Sequence, residues 1–147
     1  MTICRTCEEL ALLCACALAL AGCCPEPRAP EAGSATDGFT PGTRLSALQR
    51  DLFDRHCVTD CHDGASAAAA LQLNAGRSHG ALVNQRSQQI STQVRVVPGD
   101  AAASYLVKKM VAGAGFVGDV MPKLAPPRPA SEIDALRGWI TRGAPDD

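Results

Sequence analysis

Residues 57 to 62 read Cys57-Val58-Thr59-Asp60-Cys61-His62. Two thiols stand at i and i+4, and an imidazole follows the second directly. Side chains three and four positions apart share one face of a helical turn, so one short segment offers both sulfurs and the ring together. No cysteine follows Cys61, and the other six all lie in the first 24 residues. A disulfide scaffold distributes its cysteines over the fold. Here two separate segments use cysteine for two purposes. Taken alone, the hexapeptide allows a Cys57–Cys61 disulfide outside the cytoplasm. It also allows zinc ligated by His56, Cys57, Cys61 and His62. Adjacent residues seldom both bend into one tetrahedron, and no second ligand pair follows, so zinc is the poorer fit.

The flanking sequence is helical in pattern. Upstream, Leu45, Leu48, Leu52 and Phe53 fall at helical spacing over 44–56, with Thr43 as the expected N-cap. Downstream come the small-residue stretch 64–70, then Leu71-Gln72-Leu73, then a short helix within 78–87 carrying Leu82 and Val83. Val94, Val96 and Val97 suggest an extended piece stopped by Pro98-Gly99. Asp100 is the expected cap of a helix with Ala103, Leu106, Val107, Met110 and Val111 on one face, and Lys108 and Lys109 on the wet side. Residues 112–130 are rich in Gly and Pro and form a long loop holding Met121-Pro122. Ser131 with Asp134 resembles a capping box. The last helix, 132–142, buries Ile133, Leu136, Trp139 and Ile140 and ends at Gly143. The expected fold is all-α: about four helices with long loops.

Length and composition bound the function. A chain of 147 residues is one domain's worth. Lys and Arg number 14 against 15 Asp and Glu, so no basic surplus exists to neutralise phosphates, and nucleic acid is not an expected partner. Neither a Ser-His-Asp order, nor paired carboxylates near a pocket motif, nor a phosphate loop occurs. The aromatic residues are Trp139, Tyr105 and three Phe. Aromatics usually supply much of a small core's area, so apolar surface must come from elsewhere, and a large bound cofactor is one source.

The first segment has a different character. Residues 9–22 read ELALLCACALALAG, too short to span a membrane and about the length of a signal peptide's apolar region. It ends in Leu20-Ala21-Gly22-Cys23, which resembles the bacterial lipoprotein signal. The resemblance implies that residues 1–22 are removed and that Cys23 is acylated as the first mature residue. Residues 23–42 then read as a flexible Pro-, Gly- and Ala-rich tether, and 43–147 as the folded domain. The expected location is the periplasmic side of a bacterial cell envelope, held to a membrane by lipid.

The hexapeptide resembles the C-x-x-C-H signature of c-type haem attachment, with three residues between the cysteines rather than two. Its chemistry needs two thiols to add to the haem vinyl groups and a histidine whose imidazole reaches the iron. For a second ligand, Met121 stands in a loop without periodic neighbours, whereas Met110 belongs to an apolar helical stripe where core filling suffices. With Val96 to Asp100, Ser104 to Lys109, Met121-Pro122, Glu132-Ile133 and Trp139-Ile140, the chain from about Thr43 to Ala144 resembles a class I c-type cytochrome domain. That resemblance implies one covalent haem c on Cys57 and Cys61, with His62 as proximal and Met121 as distal iron ligand. It also implies first and last helices packed together, and a role as a single-electron carrier for redox partner proteins rather than an enzyme. Leu52, Leu71, Leu73, Leu82, Leu106 and Trp139 are candidate haem-lining residues, Arg95 a candidate propionate partner, and His79 a lesser one. His56 is expected to be solvated near a helix C-terminus, its proton favoured by the dipole. Two alternatives remain open: a haem enzyme or gas-binding protein with an open sixth site, and a haem-free lipoprotein scaffold stapled by Cys57–Cys61.

Overall fold

The computed structural model describes residues 42 to 147. The signal expected over 1–22, Cys23 and the tether up to residue 41 lie outside the described residues. Within them the chain is helical, and no β-strand forms. Helix α1 spans Leu45–Leu48 and runs on without a break as a π-helix over Gln49–Val58; a 3₁₀ turn covers Ala68–Ala70. Helices α2 (Ser78–Leu82), α3 (Tyr105–Met110) and α4 (Ala130–Thr141) follow.

The first helix departs from its expected form at both ends. Its N-cap is Arg44 in extended conformation, not Thr43. Two amides of the first turn are satisfied by Asp147: Leu45 N–H donates to its Oδ1 at 2.7 Å, and Ser46 N–H to its carbonyl at 2.8 Å. The apolar spacing predicts α-winding through His56, yet from Gln49 onward the winding is the wider i→i+5 kind. Leu48, Leu52 and Phe53 are nevertheless fully buried, so the stripe reaches the core in either winding. The buried Gln49 side chain ties this segment to its surroundings. It donates to the Leu73 carbonyl at 2.7 Å and accepts from Ser78 Oγ at 2.6 Å.

The Val-rich piece is extended, as expected, but it pairs only through isolated bridges such as Val83–Val96 and Arg86–Val94. Asp100 caps a turn rather than a helix: its carboxylate accepts from Ala103 N–H at 2.9 Å. Helix α3 begins later, at Tyr105, after the fully buried Ser104, whose hydroxyl accepts from Val97 N–H and donates to the Asp100 carbonyl. Lys109 is not on a wet face; only 7% of it is exposed.

Helix α4 starts at Ala130 after Pro129, so Ser131 lies inside it and the expected capping box does not form. A bidentate Arg128–Glu132 pair, both contacts at 2.7 Å, clasps its first turn. Its end is a Schellman motif: Gly143 N–H bonds the Ile140 carbonyl, Ala144 N–H bonds the Trp139 carbonyl, and Gly143 takes φ +99°. Helix α4 packs against α1 and α3. Trp139, Leu136 and Ile140 are fully buried in one apolar cluster with Leu48 and Phe53. The Trp139 indole N–H donates to the Pro145 carbonyl at 2.8 Å, so the large ring leaves no polar atom orphaned.

Candidate functional site

Beside this core opens a cleft of about 200 Å³. That is below the roughly 300–1,000 Å³ usual for small-molecule sites. It is lined by the end of the π-helix, the loop after it, the end of α2, the stretch 87–95, helix α3, and the long loop before α4.

The hexapeptide sits on one wall. The His62 amide bonds the carbonyls of Cys57 and Val58, each at 3.1 Å. The Cys57 bond is an i→i+5 turn that spans the whole motif. With two intervening residues, first cysteine and histidine would be i and i+4, the span of an α-turn; with three they are i and i+5, the span of a π-turn. The extra residue falls in the turn 59–61 that follows the π-helix, and the His62 amide spans it by sharing its bond between the two carbonyls. Asp60 completes the turn with φ +64°, left-handed backbone that aspartate tolerates better than most residues. The chain then folds back. Ala68 N–H bonds the Cys61 carbonyl at 2.8 Å, and Leu73 N–H bonds the His62 carbonyl at 2.9 Å.

His62 is half-buried, and its Nδ1 lies 3.0 Å from the Leu71 carbonyl. Carbonyls only accept, so Nδ1 carries the proton and Nε2 keeps its lone pair. This is the backbone anchoring that metal-binding histidines use. Burial pushes the His62 pKa down, outweighing the opposite pull of its backbone hydrogen bonds, and so favours the neutral, ligand-competent ring. Burial likewise pushes the Cys57 thiol up to about 12, and its S–H points to the Leu52 carbonyl at 3.8 Å. Cys61 is exposed, and both thiols are free, so no disulfide joins them. Among the described residues no group of three or more His, Cys, Asp or Glu side chains could hold a metal ion.

Met121 and Met110 both line the cleft, as do Leu71, Leu73, Leu82 and Leu106. Leu52 and Trp139 do not; they are spent in the core cluster. Met121 reaches the cleft from the long loop, its N–H donating to the Lys109 carbonyl at 2.7 Å. Arg95 is at the cleft wall with its guanidinium bonded to the Ala81 and Ala69 carbonyls at 2.8 and 3.1 Å. His56 also lines the cleft, half-buried, and burial lowers its pKa, opposite to the effect of a helix dipole. His79 lies elsewhere, bonded through Nε2 to the Ala144 carbonyl at 2.9 Å.

Sequence reasoning missed Tyr105 and Lys109. Their i, i+4 spacing puts them on one face of α3, but nothing in the sequence says that the loop beyond will close over that face. The charged side chains lining the cleft, Arg95, Lys109 and Lys123, are all cationic. No family model matches this chain, and neither does any curated protein or solved structure.

Proposed function

We propose that the chain is a c-type cytochrome, an electron carrier with one haem attached through Cys57 and Cys61. The observation that carries this reading is the convergence of five groups on one apolar cleft: two free thiols, an imidazole with Nδ1 anchored and Nε2 available, and the thioether of Met121 from a separate loop, with Arg95 at the wall. A haem needs that donor set, together with apolar walls and cations for its propionates, and the residues present fit it. Cys57 and Cys61 would hold it covalently, His62 and Met121 would ligate its iron, and Arg95 would face its carboxylates. Bound there, a haem supplies an iron that cycles between Fe(III) and Fe(II), one electron at a time. The protein's own part is to exclude water with Leu71, Leu73, Leu82 and Leu106, and to keep His62 neutral and aimed through the Leu71 carbonyl. Thioether ligation raises the potential. The free thiols and the apolar cleft favour this reading over a disulfide-stapled scaffold.

Cys23 acylation would tether the domain to a membrane on the periplasmic side of a bacterial envelope, within reach of redox partner proteins. The protein, matured with export and haem-attachment machinery, tests both parts. A pyridine haemochrome spectrum of two-thioether type, with an intact mass equal to chain plus haem, supports attachment; a colourless product of chain mass alone refutes it. Cys23→Ser is expected to release the protein from membranes or to block its processing. A membrane-bound chain with an unacylated N-terminus refutes the anchor.

A further inference from the structure

Lys109 is nearly buried at the end of α3. An ammonium has three donors and no acceptor, and burying it is costly unless oxygen atoms replace its water. Here those atoms come from one place. Nζ donates to the Val117 carbonyl at 2.9 Å and to the Asp119 carbonyl at 2.7 Å, and it stands 5.1 Å from the centre of the Phe116 ring. The backbone carbonyl of the same residue accepts the Met121 amide at 2.7 Å. One residue thus makes four attachments to 116–121. The other anchors of that segment are the Tyr105 hydroxyl, which accepts from Val117 N–H at 3.2 Å, and an exposed ion pair of Asp119 with Lys123 of the same loop at 3.0 Å; just before it, Gln93 donates to the Gly115 carbonyl at 3.0 Å. Gly113, Gly115 and Gly118 give the segment little stiffness of its own. Hydrogen bonds to an ionised donor are roughly twice as strong as neutral ones, so the ammonium dominates this set. The stem of Lys109 also lies along the cleft wall, as long cationic side chains commonly do.

We propose that Lys109 is the positioning residue for Met121, holding the loop shut so that the thioether stays at the cleft. For its consequence at the iron this rests on the reading of Met121 as a ligand; the clamp itself does not. The test uses the full chain as isolated from cells with the export and attachment machinery, comparing wild type with Lys109→Met and Lys109→Arg. Methionine keeps the apolar stem and loses the ammonium, whereas arginine keeps a charged donor.

Amide hydrogen exchange is followed at Met121, with Leu136 in the core as the folding control. Lys109→Met is expected to speed exchange at Met121 about tenfold or more and to leave Leu136 unchanged, and Lys109→Arg to return Met121 to within about threefold of wild type. On the same samples, Lys109→Met is expected to weaken the sulfur-to-iron charge-transfer band and to lower the potential toward that of Met121→Ala, with Lys109→Arg restoring both. Unchanged Met121 exchange in Lys109→Met overturns the proposal, and so does faster exchange with band and potential unmoved. A wild-type protein without the band, whose Met121 exchange still responds, supports the clamp and removes the ligand role. If Lys109→Met also loosens Leu136, Lys109→Gln replaces it under the same criteria, being polar but too short to hold both carbonyls.

Discussion

Met110 and Met121 line the same cleft but stand in different backbone settings. Met110 is buried on α3 within the apolar cluster, where its volume is needed whatever the cleft contains. Met121 is half-exposed in a loop, tied by its amide to Lys109, and no helical stripe requires an apolar side chain there. On the proposed haem reading, Met121→Ala is expected to lower the reduction potential by on the order of 0.1 V, because thioether ligation would favour Fe(II), and to open the sixth site to water or small ligands. Met110→Leu, a volume-conserving swap, is expected to leave the potential alone and to cost under about 1.5 kcal/mol. Redox titration of the two variants decides between them, and the reverse pattern makes Met110 the ligand. Asp60 poses a different single-residue question. Its side chain is exposed, so its constraint is its left-handed φ of +64°. Asp60→Gly is expected to be neutral or stabilising by up to about 1 kcal/mol, and Asp60→Val to destabilise by about 1–2 kcal/mol. Urea unfolding measures both, and a Val variant as stable as wild type would show that the turn can be rebuilt without αL backbone.

Among the elements, local patterns in the sequence carried far and long-range partners did not. The apolar stripes of the first and last helices were legible because burial fixes their period, and Gly143 was legible because only glycine sits easily at φ +99°. The π-winding after Leu48 was not, since Leu45, Leu48, Leu52 and Phe53 satisfy an α-stripe equally well. The first cap was invisible for another reason. Local rules nominate Thr43, whereas the donor amides of α1 are met by Asp147, at the far end of the sequence. That contact joins the beginning of α1 to the segment that follows α4, beside the α1–α4 packing. Asp147→Ala removes the side-chain acceptor and is expected to cost about 1 kcal/mol, within the usual range of about 0.5–2 for a lost cap. Asp147→Asn keeps an acceptor and is expected to stay within about 0.5 kcal/mol of wild type. Equal losses in the two variants would move the effect from the cap to the carboxylate's charge, which stands 3.7 Å from Arg142.

For the whole molecule the outstanding quantity is apolar surface. Among the described residues the helices are short; apart from the π-segment and α4 none exceeds six residues. Isolated helices of that length do not persist in water, so packing must hold them. Packing is complete on the α4 side, where Trp139, Phe53, Leu48 and Leu136 are fully buried. On the other side the wall formed by Leu71, Leu106 and the residues around them faces the cleft. On the proposed haem reading, covering several hundred Å² of macrocycle there, at about 25 cal/mol per Å², would contribute on the order of 10 kcal/mol before costs. Total stability of a domain is itself only about 5–15 kcal/mol. Even if a few kcal/mol survive, each shifts the midpoint by roughly 4–8 °C in a domain of this size. The haem-free double variant Cys57→Ala/Cys61→Ala is therefore expected to melt at least about 10 °C below the loaded wild type, by circular dichroism. The loss should fall first on the loops 60–73 and 112–129, which meet at the cleft, and last on α4. Hydrogen exchange resolves that order. A haem-free variant that melts as high as the loaded protein, with its cleft loops as protected as α4, would mean that the cleft wall is self-sufficient. The scarcity of aromatic residues would then need an explanation other than the cofactor.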